Sequence, residues 1–211
     1  SPASMIDPMV GNFSYYLAKI GGFDFVSREL GEVRPYKSFY LAASFDEPGQ
    51  PEFMADINEL TSREGAWCVT ILSASGTNEP EYPEVVHIGY GGGRGESALD
   101  SPNLFIHDIE KADAIFTSIE STLQNDFGWK AERQMRHKSD NAKVYLRHLP
   151  SVDTMNAFIL RIAWSAMSRD TRRIKMAQAI ADILHNELEP DRQVDRSELK
   201  VKNIGYSDYK A

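Results

Sequence analysis

The sequence predicts a mixed α/β fold, in which one mixed β-sheet of about five to six strands is flanked by helices. Two observations favour it. Short apolar segments rich in β-branched and aromatic residues alternate with segments whose apolar residues recur at helical spacing. No internal repeat and no Pro/Ser-rich linker divides the 211 residues, so we expect a single domain.

The N-terminal third predicts a helix followed by a βαβ unit. Residues Asn12–Ile20 place apolar side chains on one helical face, and a Gly-Gly pair ends the helix. Ser38–Phe45 is a continuous apolar run typical of a buried strand, Pro51–Glu64 has helical spacing, and Ala66–Leu72 is rich in β-forming residues. A strand, a helix and a second strand in this order favour a parallel pair.

The remaining elements follow from the same patterns. Asp108 is expected to cap an amphipathic helix whose apolar stripe runs to Phe127. Further predicted elements are a strand over Glu84–Tyr90, a hairpin of Trp129–Met135 with Ala142–Leu149, a helical pair near the C-terminus over Asp153–Met167 and Thr171–Leu188, and a last strand over Leu199–Tyr206.

Composition indicates a soluble protein of a reducing compartment. Cys68 is the single cysteine, so no intrachain disulfide is possible and a cytoplasmic location is expected. No segment has the roughly 20 consecutive apolar residues of a membrane span, and none is typical of a signal peptide, so no membrane partner is expected. Residues 1–4, before Met5, are typical of a cloning remnant, which leaves residues 5–211 as the domain.

Charge is distributed unevenly along the chain. The net charge is −8, yet residues 1–127 hold 7 Lys/Arg against 20 Asp/Glu, whereas residues 128–178 hold 11 against 4. The chain is therefore a charge-polarised domain rather than a uniformly acidic one.

A glycine-rich stretch over Gly89–Ser97 is the best local candidate for a ligand loop. Glycines allow successive backbone N–H groups to face an anion, and an arginine can grip phosphate or carboxylate with two hydrogen bonds. The stretch matches neither GxxxxGK[ST] nor GxGxxG, so a simple mobile turn is the alternative. The predicted ligand-binding residues are Gly91, Gly92, Gly93, Arg94 and Ser97.

The candidate residues for acid–base chemistry form no recognised motif. His87 lies inside an apolar strand, His107 precedes the capped helix, and Asp46 follows the first predicted strand. Imidazole and carboxylate groups transfer protons near neutral pH, but each of these residues also has an ordinary structural or surface role. The histidine spacing fits no zinc pattern and one cysteine cannot build a structural zinc site, so we predict no metal, and the sequence identifies no cofactor.

Basic side chains interleaved with aromatic ones occupy the region 128–178. Such a region is suited to an acidic protein surface or to nucleic acid, although it also suits pairing with the acidic half of the same chain. The residues concerned are Lys130, Arg133, Arg136, Lys138, Lys143, Arg147, Arg169, Arg172 and Arg173.

These patterns favour a non-catalytic binding or assembly protein that uses its charge-polarised surface for self-association or for a protein partner. The signatures of nucleotide kinases, dinucleotide-binding enzymes, zinc hydrolases and acyl-transfer hydrolases are all missing from the sequence. An enzyme that acts on a nucleotide or other phosphorylated small molecule through Gly89–Ser97 is the first alternative. Nucleic-acid binding by the region 128–178 is the second.

Overall fold

A computed structural model describes residues 8–26, 50–74, 85–90, 105–134, 149–163, 167 and 170–194. Within these ranges the fold is mixed α/β, with four helices and one four-stranded mixed sheet, so the predicted class is confirmed while the described strands are fewer than the five to six expected. In chain order the elements are α1 (Pro8–Gly21), α2 (Gln50–Thr61), β1 (Trp67–Ala74), β2 (Val85–Gly89), α3 (Ile109–Phe127), β3 (Lys130–Gln134), a 3₁₀ turn (Pro150–Asp153), β4 (Asn156–Ala163) and α4 (Asp170–Leu188).

The strands lie in the order β1-β4-β2-β3. The β1–β4 and β2–β3 pairs are parallel, whereas β2 and β4 are antiparallel. Two parallel neighbours, β2 and β3, are joined through α3 and therefore form a βαβ unit. The βαβ unit predicted near the N-terminus stays a prediction, because its first strand, Ser38–Phe45, lies outside the described residues.

One predicted helix is wrong. Residues Asn156–Ala163, which fall inside the expected helix Asp153–Met167, form β4 at the centre of the described sheet. Seven of its eight residues are buried and only Arg161 is half-buried. A strand buried on both faces has a continuous apolar sequence, and periodicity cannot distinguish such a run from a buried helix.

The neighbouring elements follow the sequence more closely. The second member of the expected helical pair is present as α4, and the first half of the expected hairpin is present as β3. The second hairpin strand, apart from its last residue Leu149, and the final strand Leu199–Tyr206 lie outside the described residues.

The residues at its two ends explain where α3 begins and ends. The Asp108 side chain accepts a hydrogen bond from the Lys111 N–H at 3.0 Å, as expected of an N-cap. At the other end Gly128 has φ +65° and its N–H donates to the Gln124 carbonyl at 3.1 Å. This left-handed conformation is one that glycine adopts without a steric penalty. The stripe predicted for α3 is buried at Ala112, Phe116, Ile119 and Leu123, and Ile115 joins it.

The main core lies between the sheet and a layer made of α1, α3 and α4. Alternate strand residues enter it, such as Val86 and Ile88 from β2 and Leu160 from β4. On α1 the predicted apolar face, Phe13, Tyr16, Leu17 and Ile20, is buried. We call this side of the sheet the helical face.

The opposite side, which we call the second face, carries the intervening strand residues. They include Cys68, Thr70 and Leu72 of β1, Ala157, Ile159 and Arg161 of β4, Val85, His87 and Gly89 of β2, and Lys130 and Glu132 of β3. One end of this face joins a smaller apolar cluster that includes Ile57 of α2 and Ala157. No helix in the described part of the chain is long and apolar enough to cross a membrane.

Candidate functional site

Arg133, an arginine of the basic region 128–178, is paired with acidic residues of the chain's own first 127 residues. The Arg133 Nε donates to Glu120 Oε1 at 2.8 Å, and one terminal nitrogen donates to Glu120 Oε2 at 2.9 Å. The same guanidinium bonds to Asp113 and to the Thr117 hydroxyl. These contacts, led by the hydrogen bond with Glu120, raise the pKa of Arg133 above its ordinary value. Arg133 is therefore paired with acidic residues of the same chain, which is one of the alternatives that the sequence left open.

The other described basic residues have different environments. Arg173 is only 2% exposed and donates to the Met167 carbonyl at 3.1 Å, so it does not belong to the protein surface. Arg172 lies over the ring of the buried Trp129, at 5.7 Å from the ring centroid. Lys130 is exposed and forms an ion pair with Glu132.

Exposed charge in the described part of the chain is mainly acidic. Five exposed basic residues are Lys19, Arg63, Lys130, Lys175 and Arg192. Ten exposed acidic residues are Asp24, Asp56, Glu59, Glu64, Asp108, Glu110, Asp113, Asp126, Asp153 and Asp191. Half of these acids lie on or beside α2 and α3 without an ion pair among the described residues, and we call Asp56, Glu59, Glu64, Glu110 and Asp126 the acidic helix surface.

The two candidate histidines, His87 and His107, are far apart in the structure. His87 is opposite Arg161 in the β2–β4 register, whereas the His107 N–H donates to the Asn156 side chain at 2.8 Å. Asn156 and Arg161 are five residues apart along β4, which is roughly 16 Å. His107 is exposed, and its Nε2 lies 3.3 Å from the Val152 carbonyl.

His87 instead lies within a row of ionisable side chains on the second face. Its register partners are Arg161 on β4 and Glu132 on β3, and Glu132 is paired with Lys130. His87 is 5% exposed, while Arg161 and Glu132 are half-buried. Each of these four residues makes a further interaction within the chain.

Sequence reasoning missed two members of the row. Arg161 interrupts the apolar run of β4, and a lone arginine in a buried run is a usable signal. The sequence predicts a helix over this apolar run, however, so it indicates no strand partner for Arg161. Glu132 alternates with Ala131 and Arg133 in β3, but only the pairing with β2 places it beside His87.

Several predicted site residues lie outside the described residues. They are Asp46, the loop residues Gly91, Gly92, Gly93, Arg94 and Ser97, and the basic residues Arg136, Lys138, Lys143, Arg147 and Arg169.

The described residues offer neither a metal cluster nor an activated thiol. No group of three or more His, Cys, Asp or Glu side chains in the described ranges is placed to hold a metal ion. Cys68 is half-buried, and the loss of water around its thiol raises the pKa to about 11, whereas a nucleophilic cysteine needs a lowered pKa.

No protein-family model, no curated protein and no solved structure matches this chain. Function is therefore inferred from the geometry of its own residues.

Proposed function

We propose that this protein is a binding or assembly protein that associates through its charged surfaces, with a second copy of itself or with a protein partner. The observation that carries the proposal is the acidic helix surface. Five exposed carboxylates occupy α2, α3 and their ends, while Arg133, a nearby arginine of the basic region, is already bonded to Glu120 and Asp113.

Exposed side chains of one sign attract groups of the opposite sign. Association guided by such charges is fast and sensitive to salt, because screening acts over about 10 Å at 0.1 M ionic strength. The complementary basic surface would come from a different protein, or from basic residues of the region 128–178 other than Arg133 and Arg173 in another copy. Contact between unlike surfaces of identical chains is heterologous and leads to rings or filaments.

Nucleic-acid binding receives less support from the described residues. Phosphate recognition needs exposed Lys and Arg side chains, but Arg173 is buried and Arg133 is neutralised by two carboxylates. The enzyme alternative depends on Gly89–Ser97, of which residues 91–97 lie outside the described residues.

Light scattering of the purified chain at about 50 mM and about 500 mM salt tests the proposal. We expect a larger mass at low salt that falls at high salt. The variant Asp56→Asn/Glu59→Gln/Glu64→Gln should associate more weakly at low salt. The control Asp24→Asn/Asp153→Asn/Asp191→Asn removes the same number of exposed charges elsewhere and should associate like the parent.

For a different protein partner, the same two variants are compared as bait with the parent chain. A partner held by the parent and the control but lost by the α2 variant supports the proposal. A monomer at every salt concentration, with no partner that distinguishes the α2 variant from the control, would overturn it.

A further inference from the structure

The exposed large apolar side chains of the described residues lie beside charges of opposite sign. They are Tyr15 and Phe25, which accompany Lys19, and Leu60 and Ile109, which adjoin Glu59 and Glu110 of the acidic helix surface. One exposed apolar residue is ordinary on a protein surface. Apolar groups bordered by opposite charges on two surfaces suit a contact in which the apolar groups meet at the centre and the charges pair at the rim.

Tyr15, Lys19 and Phe25 form one surface, which we call the aromatic surface. Tyr15 and Lys19 lie four residues apart on α1, and they are the exposed residues among residues 10–21. The Lys19 Nζ lies 5.8 Å from the centroid of the Tyr15 ring. The chain turns after α1 at Gly22, which has φ +71°, and the Phe25 ring then lies against the Tyr15 ring at 5.9 Å between centroids.

Both rings of the aromatic surface remain largely in water despite their mutual contact. Tyr15 is 44% exposed and Phe25 is 40% exposed. Removing apolar ring area from water is favourable, and aromatic side chains are enriched at the centres of protein–protein interfaces. Lys19 adds a positive charge beside the rings.

The helix α2 presents a surface of the opposite charge. Asp56 and Leu60 lie four residues apart on its exposed side, and Glu59 adjoins Leu60. Ile57 and Thr61, on the other side of α2, are buried. Leu60 is 36% exposed, so an apolar side chain accessible to a partner lies beside two exposed carboxylates.

We propose that the aromatic surface of one copy binds the acidic helix surface of a second copy at α2. Charge complementarity favours this occupant, because Lys19 meets Asp56 and Glu59 in such a contact. The rings of Tyr15 and Phe25 cover Leu60, which removes apolar area of both copies from water. The two surfaces are different, so the contact is heterologous and each copy binds two others.

This inference rests on the proposed function, since it takes the acidic helix surface as one side of the contact. It names α1 of a second copy as the other side. The two can fail separately, because loss of the α2 carboxylates tests both, whereas loss of the aromatic surface tests this inference alone.

Two variants, each of which lacks one surface, test the pairing by light scattering at about 50 mM salt. They are the α2 variant Asp56→Asn/Glu59→Gln/Glu64→Gln and an α1 variant, Tyr15→Ala/Lys19→Ala, all at exposed positions. We expect each variant alone to associate at least about tenfold more weakly than the parent. An equimolar mixture should form pairs of chains and nothing larger, because one intact surface of each kind remains.

The control Lys175→Ala removes an exposed positive charge from α4 and should associate like the parent. Circular dichroism checks that each variant is folded.

Three results would overturn the inference. The first is a folded α1 variant that associates as strongly as the parent; if the α2 variant has lost association, the proposed function still stands with another surface as the partner. The second is a mixture of the two variants that stays monomeric. The third is a parent chain that is monomeric at every salt concentration, in which case the comparison of baits still tests the proposed function.

Cross-linking of the unaltered chain covers the case in which the variants do not fold. A carbodiimide joins a lysine amine directly to a carboxylate in contact with it. In a mixture of isotope-labelled and unlabelled chains, a cross-linked peptide pair with one labelled member identifies a contact between copies. We expect Lys19 joined to Asp56 or Glu59 in such pairs, with a lower yield at about 500 mM salt. Pairs between copies that never contain Lys19, or no such pairs at all, contradict the inference.

Discussion

Arg133 of β3 donates two hydrogen bonds to the carboxylate of Glu120 of α3, one from Nε and one from a terminal nitrogen, at N–O distances of 2.8 and 2.9 Å. The pair joins a helix to a strand of the same βαβ unit. It is only partly solvated, since the two side chains are 27% and 31% exposed. The guanidinium also lies 5.6 Å from the centroid of the Phe116 ring, which adds a cation–π contact.

Arg133→Lys should therefore destabilise the protein by about 1–2 kcal/mol, because lysine keeps the charge but loses the planar fork. The matched control is Arg63→Lys, whose side chain is 67% exposed and makes a single 3.7 Å contact with Glu189. We expect the control to change the free energy of unfolding by less than about 0.5 kcal/mol. Urea denaturation measures both variants. Equal losses would show that the bidentate geometry adds nothing.

Asn156 ties the start of β4 to the start of α3. Its Oδ1 accepts hydrogen bonds from the His107 N–H at 2.8 Å and from the Asp108 N–H at 2.9 Å, and the residue is 2% exposed. Asn156→Ala should cost about 2–3 kcal/mol, since two backbone donors lose their acceptor. Asp108→Ala, which removes an exposed N-cap, should cost only about 1 kcal/mol. Thermal unfolding followed by circular dichroism compares the stability of the two variants. A larger loss for Asp108→Ala than for Asn156→Ala would contradict the importance of the buried Asn156 hydrogen bonds.

Cys68 should be nearly inert at neutral and mildly alkaline pH. Its pKa of about 11 means that the thiolate forms only as the pH approaches that value. At pH 8 the thiolate fraction is then about 0.1%, against roughly a quarter for an ordinary thiol of pKa about 8.5. The reaction with a disulfide reagent should be at least about 100-fold slower in the native protein than in urea. Similar rates in the two conditions would contradict the burial of this thiol.

The pKa of Cys68 also has a consequence for stability. The folded-state pKa is raised above the unfolded value, so stability is fully present below about pH 8.5 and decreases as the pH rises toward 11. Comparing the alkaline unfolding of the parent with that of Cys68→Ala isolates this contribution. The variant should lose less stability over this pH window than the parent does.

Gly128 supplies the left-handed turn that ends α3. A Cβ at this position would meet no atom within 4 Å, so any penalty must come from the backbone conformation itself. Gly128→Ala should cost about 1 kcal/mol, whereas Gly128→Asn should cost less, because asparagine tolerates φ > 0 better than alanine. Urea denaturation tests the order. A loss of stability that is larger for Asn than for Ala would exclude a purely conformational explanation.

The sequence by itself determined the elements whose pattern is local. The amphipathic stripe and its capping Asp108 predicted α3, the Gly-Gly pair predicted the end of α1, and a short β-rich run predicted β2. Each of these signals lies within one helix, at its end or within one strand, so no distant part of the chain is needed to interpret it.

Only the tertiary structure decided the rest. Met155 to Ala163 is apolar except for Asn156 and Arg161, and the run becomes β4 because β1 and β2 pair with its backbone on both sides. Strand pairing places His87 beside Arg161 and Glu132 rather than beside His107. The packing of α3 on β3 places Arg133 beside Glu120. The physical reason is that strand pairing and ion pairing join residues that are distant in the chain, and a single sequence does not specify these long-range partners.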